Sequence, residues 1–228
     1  MNQAKVTPLS QPLPGFVVVE GPIGVGKTTL ARRLADSFGS DLLLEGANEN
    51  PFLEKFYENP EAAALPTQLY FLLQRAKQLK DMKQADMFNP VRVSDYLIDK
   101  DRLFAELTLD ADELDLYEQV YSTLTLDVPQ PDLVVYLQAP VEVLLERIER
   151  RGIPHERIIE AAYLERLCQS YIQFFYQYNS APLLIVNAAD LDFASNEDDY
   201  QLLLDRIINN RSGRHYFNPG PVGLTGIE

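Results

Sequence analysis

The sequence predicts an α/β protein with a five-stranded parallel sheet flanked by helices, and three observations carry that reading. Short apolar runs of strand length alternate with longer stretches whose apolar residues recur at helical spacing. The first apolar run ends in a glycine-rich segment that opens a helix. A chain of 228 residues, 46% of them apolar, can bury one sizeable core.

Residues 1–15 carry three prolines and no periodic apolar pattern, so they read as a flexible lead-in outside the fold. Phe16–Glu20 (FVVVE) has the β-branched, uninterrupted apolar character of a buried parallel strand. A helix from Lys27 to Phe38 follows, then a second strand at Leu42–Leu44. Between Pro51 and Ala85, Leu69, Leu72, Leu73, Ala76 and Leu79 keep helical spacing, and Pro60 and Pro66 are expected to divide the stretch into two helices. Val91–Ser94 and Leu133–Leu137 give strands three and four, joined through a helix at Ala111–Leu126. Helices at Val141–Arg151 and Ala161–Tyr178, a fifth strand at Leu183–Val186 and a last helix at Asp198–Asn209 complete the alternation. Strands separated by helices imply right-handed crossovers and a sheet covered on both faces. One domain over residues 16–210 is expected, with 211–228 as an irregular tail rich in glycine.

A net charge of −14 argues against a general nucleic-acid or anionic-membrane surface, because a polyphosphate backbone would be repelled over most of the molecule. Any charge that binds phosphate must be concentrated locally. The lone Cys168 has no internal partner for a disulfide, and no apolar run approaches the roughly 20 residues of a membrane span. With no apolar signal region at the N-terminus, a cytoplasmic setting is the expectation. His155 and His215 have no spacing that suggests a metal site.

Gly21-Pro22-Ile23-Gly24-Val25-Gly26-Lys27-Thr28 fits G-x-x-x-x-G-K-[ST] between a strand and a helix, the context a phosphate-binding loop requires. Glycines let the backbone curl so that several N–H groups converge on one phosphate cluster, and the helix adds its positive end. Lys27 would meet the outer phosphates, the Thr28 hydroxyl would face a metal ion, and Thr29 continues the nucleotide-binding stretch. A plain strand-to-helix turn has no use for Lys-Thr at this spacing. Glu45 follows the second strand and so should emerge at the carboxyl edge of the sheet, where open α/β folds bind ligands; Glu49 is its nearby competitor.

The loop EGPIGVGKTTL together with ENPFLEKFYENP, TQLYFLLQR and RIERRG resembles the deoxynucleoside kinase family, over roughly Phe16 to Asn210. The resemblance implies a P-loop NTPase fold with a five-stranded parallel sheet and a lid segment, a homodimer, and transfer of the terminal phosphate of ATP to a deoxynucleoside 5′-hydroxyl with Mg2+. It makes Glu45 the general base, Tyr57 a partner of the sugar 3′-hydroxyl, and Gln68 and Arg75 readers of the base. Gln68 and Arg75 lie seven apart, so one helix face can carry both. Of Phe52, Phe56, Phe71 and Phe104, one or two could line the base pocket.

Asp95 follows the third strand where the family has an acid and an arginine, the acid in the magnesium shell with Thr28; the arginine position is Tyr96 here. Arg102 or a lid arginine is the expected replacement for that charge. Asp101, with Asp99 as the alternative, matches the acid beside the base-reading arginine and favours deoxyadenosine, deoxyguanosine or deoxycytidine over thymidine. Arg147 and Arg151 resemble lid arginines that close over the phosphates, with Ile153 where relatives carry another, and Glu156 matches a lid acid that meets the sugar. Two rivals remain: a nucleoside monophosphate kinase related to thymidylate kinase, which needs a cationic site for the acceptor's phosphate, and a nucleotide-binding switch with no acceptor.

Overall fold

In the computed structural model, residues 14–84, 91–124, 128–210 and 212–219 are described. The lead-in up to residue 13, the end of the expected fourth-strand connection at 125–126, and tail residues 211 and 220–228 therefore lie outside the described residues.

One parallel sheet organises the chain. Its strands are β1 (Phe16–Glu20), β2 (Asp41–Leu43), β3 (Arg92–Ser94), β4 (Leu133–Gln138), β5 (Leu183–Asn187) and β6 (Arg214–Phe217), in the order β2-β3-β1-β4-β5-β6. Every residue of β1 is buried, as its central place demands. From β1 the chain runs out to the β2 edge, returns through β3, and then passes β1 to reach β4. That change of direction opens a crevice beyond the carboxyl ends of β1, β2 and β3.

The helices are α1 (Lys27–Phe38), α2 (Leu53–Glu58), α3 (Pro60–Gln84), α4 (Asp101–Thr108), α5 (Ala111–Leu124), α6 (Val141–Arg151), α7 (Ala161–Gln177) and α8 (Glu197–Asn209). Bounds expected from the sequence agree to within a residue or two for α1, α6, α7 and α8. Three expectations need correction. The sheet has six strands, because Arg214–Phe217 of the supposedly irregular tail pairs parallel to β5, with Leu183 opposite Arg214 and Val186 opposite Phe217. Arg214 secures that strand by donating to the carbonyls of Tyr176 and Tyr178 at 3.1 and 2.8 Å. Pro60 does separate two helices, but α3 runs unbroken through Pro66. The ~3 kcal/mol cost of an interior proline is outweighed there by burial of Ala63, Ala64, Leu72, Ala76 and Leu79. A separate helix, α4, also stands where only a connection was expected, between β3 and α5.

The core lies on both faces of the sheet. Tyr136 of β4 stacks on Phe175 of α7 with ring centroids 4.2 Å apart, and Tyr171 packs parallel to Tyr136 at 6.0 Å. This aromatic layer places the Tyr171 hydroxyl beneath the end of β1, where it becomes part of the site. Cys168 is half-buried beside the same core. Among the described residues no helix is long and apolar enough to cross a membrane.

Candidate active site

The segment between β1 and α1 curls tightly because three glycines take conformations closed to other residues: φ is +154° at Gly21, +85° at Gly24 and +105° at Gly26. Space is equally restrictive, since a Cβ on Gly21 would lie 2.3 Å from the Leu137 carbonyl oxygen. Lys27 folds back over the loop and donates to the carbonyls of Gly21 and Pro22 at 2.7 and 3.2 Å. Burial, with the nearby Lys100 ammonium adding to it, pushes the Lys27 amine down to about 8. Thr28 donates its hydroxyl to Asp95 Oδ2 at 2.5 Å.

Two cavities meet at this loop. The first, about 410 Å³, is lined by Lys27, Thr28, Glu45, Tyr57, Gln68, Arg75, Asp95, Arg151 and Glu156, so the fold gathers these sequence-predicted residues around one space, whereas Asp101 and Arg147 are not in its lining. Ile23 and Gly24 of the loop, Glu49, and the rings of Phe56, Phe71 and Phe104 complete much of its wall, while Phe52 packs against Tyr70 instead. The second cavity, about 320 Å³, lies across the loop and is lined by Gly24 to Thr29, Arg147, Arg150, Arg151 and Leu191 to Ala194. Arg151 reaches both.

Glu45 sits just beyond β2, and its backbone N–H donates to Asp95 Oδ1 at 2.8 Å. Its carboxylate forms an ion pair with Arg75, whose guanidinium also pairs with Asp101. Arg75 is thus held between two carboxylates, with Phe71 beneath it at 4.9 Å. Burial lowers its pKa, against the pull of Glu20. Asp101 Oδ2 and Arg75 Nε are buried with no hydrogen-bond partner among the described residues, so this pair retains capacity for a ligand. Asp101 stands behind Arg75. Asp99, its alternative, lines a small separate crevice with Phe16 and Leu79, and burial raises its pKa. Gln68 donates to the Thr108 hydroxyl at 3.2 Å, and Glu49 accepts from Gln74 at 2.9 Å.

At the lid end, Arg151 donates to Glu156 at 2.5 Å. Burial raises the pKa of Tyr57 beside them, with Tyr163 and Glu156 adding to the effect. Arg147 lines the second cavity rather than the first. Its guanidinium rests on the carbonyls of Val25, Ala188 and Ala189 at 3.3, 2.8 and 3.3 Å, on the side of the loop away from Glu45. Arg102 also fails to reach the cavity. It pairs at 2.7 Å with Glu118 on the outer surface, which corrects its expected place beside the phosphates.

Two charges in the site escaped the sequence reading. Glu20, wholly buried at the end of β1, and Lys100, 2% exposed just before α4, lie 3.3 Å apart, and Lys100 is also 3.3 Å from Glu45. Glu20 carried a faint signal, a carboxylate ending an apolar strand directly before the loop. Lys100 belongs to no local pattern. Among the described residues no group of three or more His, Cys, Asp or Glu could hold a metal ion.

Comparison with known proteins places this arrangement. The family model described as deoxynucleoside kinase matches residues 17–211. A deoxyguanosine kinase of Bacillus subtilis (strain 168) is 40% identical over 194 residues, covering 82% of this chain and 92% of that protein. The deoxyadenosine/deoxycytidine kinase of the same organism is 30% identical over 204 residues, covering 86% and 93%. The solved structure of deoxyadenosine kinase from M. mycoides with bound dATP superimposes with a TM-score of 0.74 at 25% identity, covering 84% of this chain and 98% of that one. This chain therefore belongs to the deoxynucleoside kinase family and is a phosphotransferase of that family.

Proposed function

We propose that the enzyme transfers the terminal phosphate of ATP to the 5′-hydroxyl of a purine deoxynucleoside, with deoxyguanosine as the preferred acceptor. The observation that carries this reading is the position of Glu45, in one cavity with Lys27 and Thr28 of the phosphate loop and with Arg75, which Asp101 pairs with from outside the cavity lining. A carboxylate there can take the proton of an acceptor hydroxyl as its oxygen attacks phosphorus.

The acceptor binds with its base toward Arg75, Asp101 and Gln68 and its sugar toward Tyr57 and Glu156. Arg75, paired with Glu45 and Asp101, keeps its unpartnered Nε–H and remaining N–H groups for the O6 and N7 acceptors of guanine, and the unpartnered Asp101 Oδ2 accepts an exocyclic N–H. Thymine has no exocyclic amino group to give to that carboxylate. The B. subtilis relative, a deoxyguanosine kinase at 40% identity, supports guanine over adenine and cytosine. ATP occupies the loop from Gly21 to Thr29, with its base in the second cavity near Leu191 and Phe193.

Thr28 and Asp95 offer hard oxygen ligands 2.5 Å apart beside the loop, a donor set that fits Mg2+ completed by water and phosphate oxygens. When bound there, the ion offsets negative charge on the triphosphate. Lys27 moves from the carbonyls of Gly21 and Pro22 to the outer phosphates, and Arg151 turns from Glu156 as the lid closes and excludes water. A homodimer in the cytoplasm belongs to the same reading, by family analogy.

A nucleoside monophosphate kinase is less well supported, because Arg75 already carries two carboxylates and offers little free charge for an acceptor phosphate. ATP consumption with magnesium, measured against the four deoxynucleosides and their monophosphates with the product identified by mass, tests the reading. Deoxyguanosine monophosphate formed from deoxyguanosine is the expected result. Activity confined to monophosphates would overturn it.

A further inference from the structure

Glu20 is the most enclosed charge in the site, and its carboxylate is fully committed. Oε1 accepts the Gly21 N–H at 2.9 Å, the Tyr171 hydroxyl at 2.9 Å and the Lys100 ammonium at 3.3 Å, while Oε2 accepts the Leu97 N–H at 2.8 Å. Lys100 is therefore tethered through one carboxylate to the first residue of the phosphate loop. Its second contact, 3.3 Å to Glu45 Oε1, reaches the acceptor side of the cavity.

The other cations lining this cavity include Lys27, which lies on the loop's own carbonyls, and Arg151, which is held by Glu156 at the lid. Arg75 reaches Glu45 too, but from the base-reading end with Asp101. Among the described residues Lys100 is the cation of this cavity whose contacts to Glu20 and Glu45 link the start of the donor loop to the acceptor carboxylate. An amine that only neutralised Glu20 would gain nothing by facing that space. Burying an ammonium is costly, and here burial pushes it down to about 8 even with Glu20 pulling the other way. Preorganised positive charge is most effective where negative charge is shared between incoming and leaving oxygens.

We propose that Lys100 is a catalytic residue, its ammonium leaving Glu45 to meet the equatorial oxygens of the phosphoryl group as that group passes from donor to acceptor. The assignment rests on the kinase reading above. In the step, the acceptor 5′-oxygen attacks the terminal phosphorus of the nucleoside triphosphate and forms the new O–P bond. The bond from that phosphorus to the bridging oxygen breaks, and its electron pair leaves on the nucleoside diphosphate. The hydroxyl proton goes to Glu45, and Lys100 keeps all of its own protons throughout.

The test uses single-turnover phosphoryl transfer by the full chain at saturating ATP and magnesium, with the deoxynucleoside the wild type accepts best. Lys100→Met is expected to slow transfer by about 10²- to 10³-fold while changing the KM for the nucleoside less than about threefold. Because that variant strands the buried Glu20 charge, Glu20→Gln and the double variant Glu20→Gln/Lys100→Met are measured beside it, with thermal melting of each. The double variant is expected to regain stability and remain slow, whereas Glu20→Gln alone, which keeps the amine, stays within about tenfold of wild type. A double variant within threefold of wild type would overturn the assignment, and so would a Glu20→Gln enzyme as slow as the double. A wild-type chain that phosphorylates no deoxynucleoside would overturn the kinase reading itself, an outcome separate from an active wild type with an active double variant.

Discussion

Asp95 ties the phosphate loop to Glu45: one carboxylate oxygen accepts the Thr28 hydroxyl at 2.5 Å and the other accepts the Glu45 backbone N–H at 2.8 Å. Burial raises its pKa, and the Thr28 hydrogen bond opposes that rise. The strand register explains the meeting, since β2 and β3 pair with Leu43 opposite Ser94 and so end side by side. Asp95→Asn keeps the shape and removes the charge. It is expected to raise the magnesium concentration for half-maximal rate about tenfold and to lower kcat about 10- to 100-fold. A magnesium titration of initial rates checks this; an unchanged half-saturation point would take Asp95 out of the metal shell.

Glu45→Gln removes the proposed proton acceptor and leaves a side chain of the same size. kcat is expected to fall about 10²- to 10⁴-fold, the usual scale for general-base loss. Nucleoside affinity, measured by titration calorimetry, should stay within a few-fold, because Asp101 still holds Arg75 at the base-reading end. Turnover within threefold of wild type would transfer the role to another group, with Glu49 in the cavity wall as the alternative carboxylate.

Arg102→Ala separates two ways of supplying positive charge near β3. Arg102 pairs with Glu118 and its side chain is 51% exposed, so both kcat and KM are expected to stay within about twofold of wild type. Steady-state kinetics on this variant beside Lys100→Met decide which of the neighbouring cations serves the site.

Gly21→Ala places a methyl group 2.3 Å from the Leu137 carbonyl oxygen at a backbone angle of +154°. Overpacking against fixed backbone, with added strain, is expected to cost about 3 kcal/mol and to lower Tm by roughly 6–12 °C for a domain of this size. Calorimetric melting without nucleotide reads the effect apart from any loss of binding.

The parts of this site written in local pattern were legible in the sequence. A buried strand followed by spaced glycines and Lys-Thr has few physical uses other than to hold phosphate, and α1 begins at the expected Lys27. Gln68 and Arg75 could be assigned to one face from helical period alone. What escaped depends on tertiary approach. Lys100 is one lysine in a run of mixed charge, and only the turn between β3 and α4, whose Leu97 N–H bonds to Glu20, brings it to that carboxylate. Arg102, two residues later, differs by pointing across α4 to Glu118, a distinction no spacing rule draws. Strand β6 was missed for a related reason: four residues that include Arg and His carry no apolar period, and the strand exists because β5 offers a free edge and Arg214 finds two carbonyls.

The two buried amines give the site a pH dependence whose direction follows from their surroundings. Burial pushes both Lys27 and Lys100 from 10.5 to about 8. Around Lys100 stand Glu20 on β1, Glu45 after β2, Asp95 after β3, Arg75 on α3 and Lys27 on α1, the carboxylates holding its proton and the cations opposing them. As pH rises through about 8 the unliganded enzyme loses positive charge where the triphosphate must bind, so kcat/KM for ATP should fall on the alkaline side, by up to about tenfold per pH unit. Stability should respond in the opposite sense. In the unfolded chain both amines stay protonated to about 10.5, so between about 8 and 10.5 the unfolded state holds more protons and the contribution of these lysines to stability grows with pH. Activity profiles and melting curves recorded in the same buffers from pH 6 to about 10 separate the two effects. With Lys100→Met the alkaline limb should keep only the contribution of Lys27, and a limb unchanged in slope and midpoint would assign the whole titration to the loop lysine.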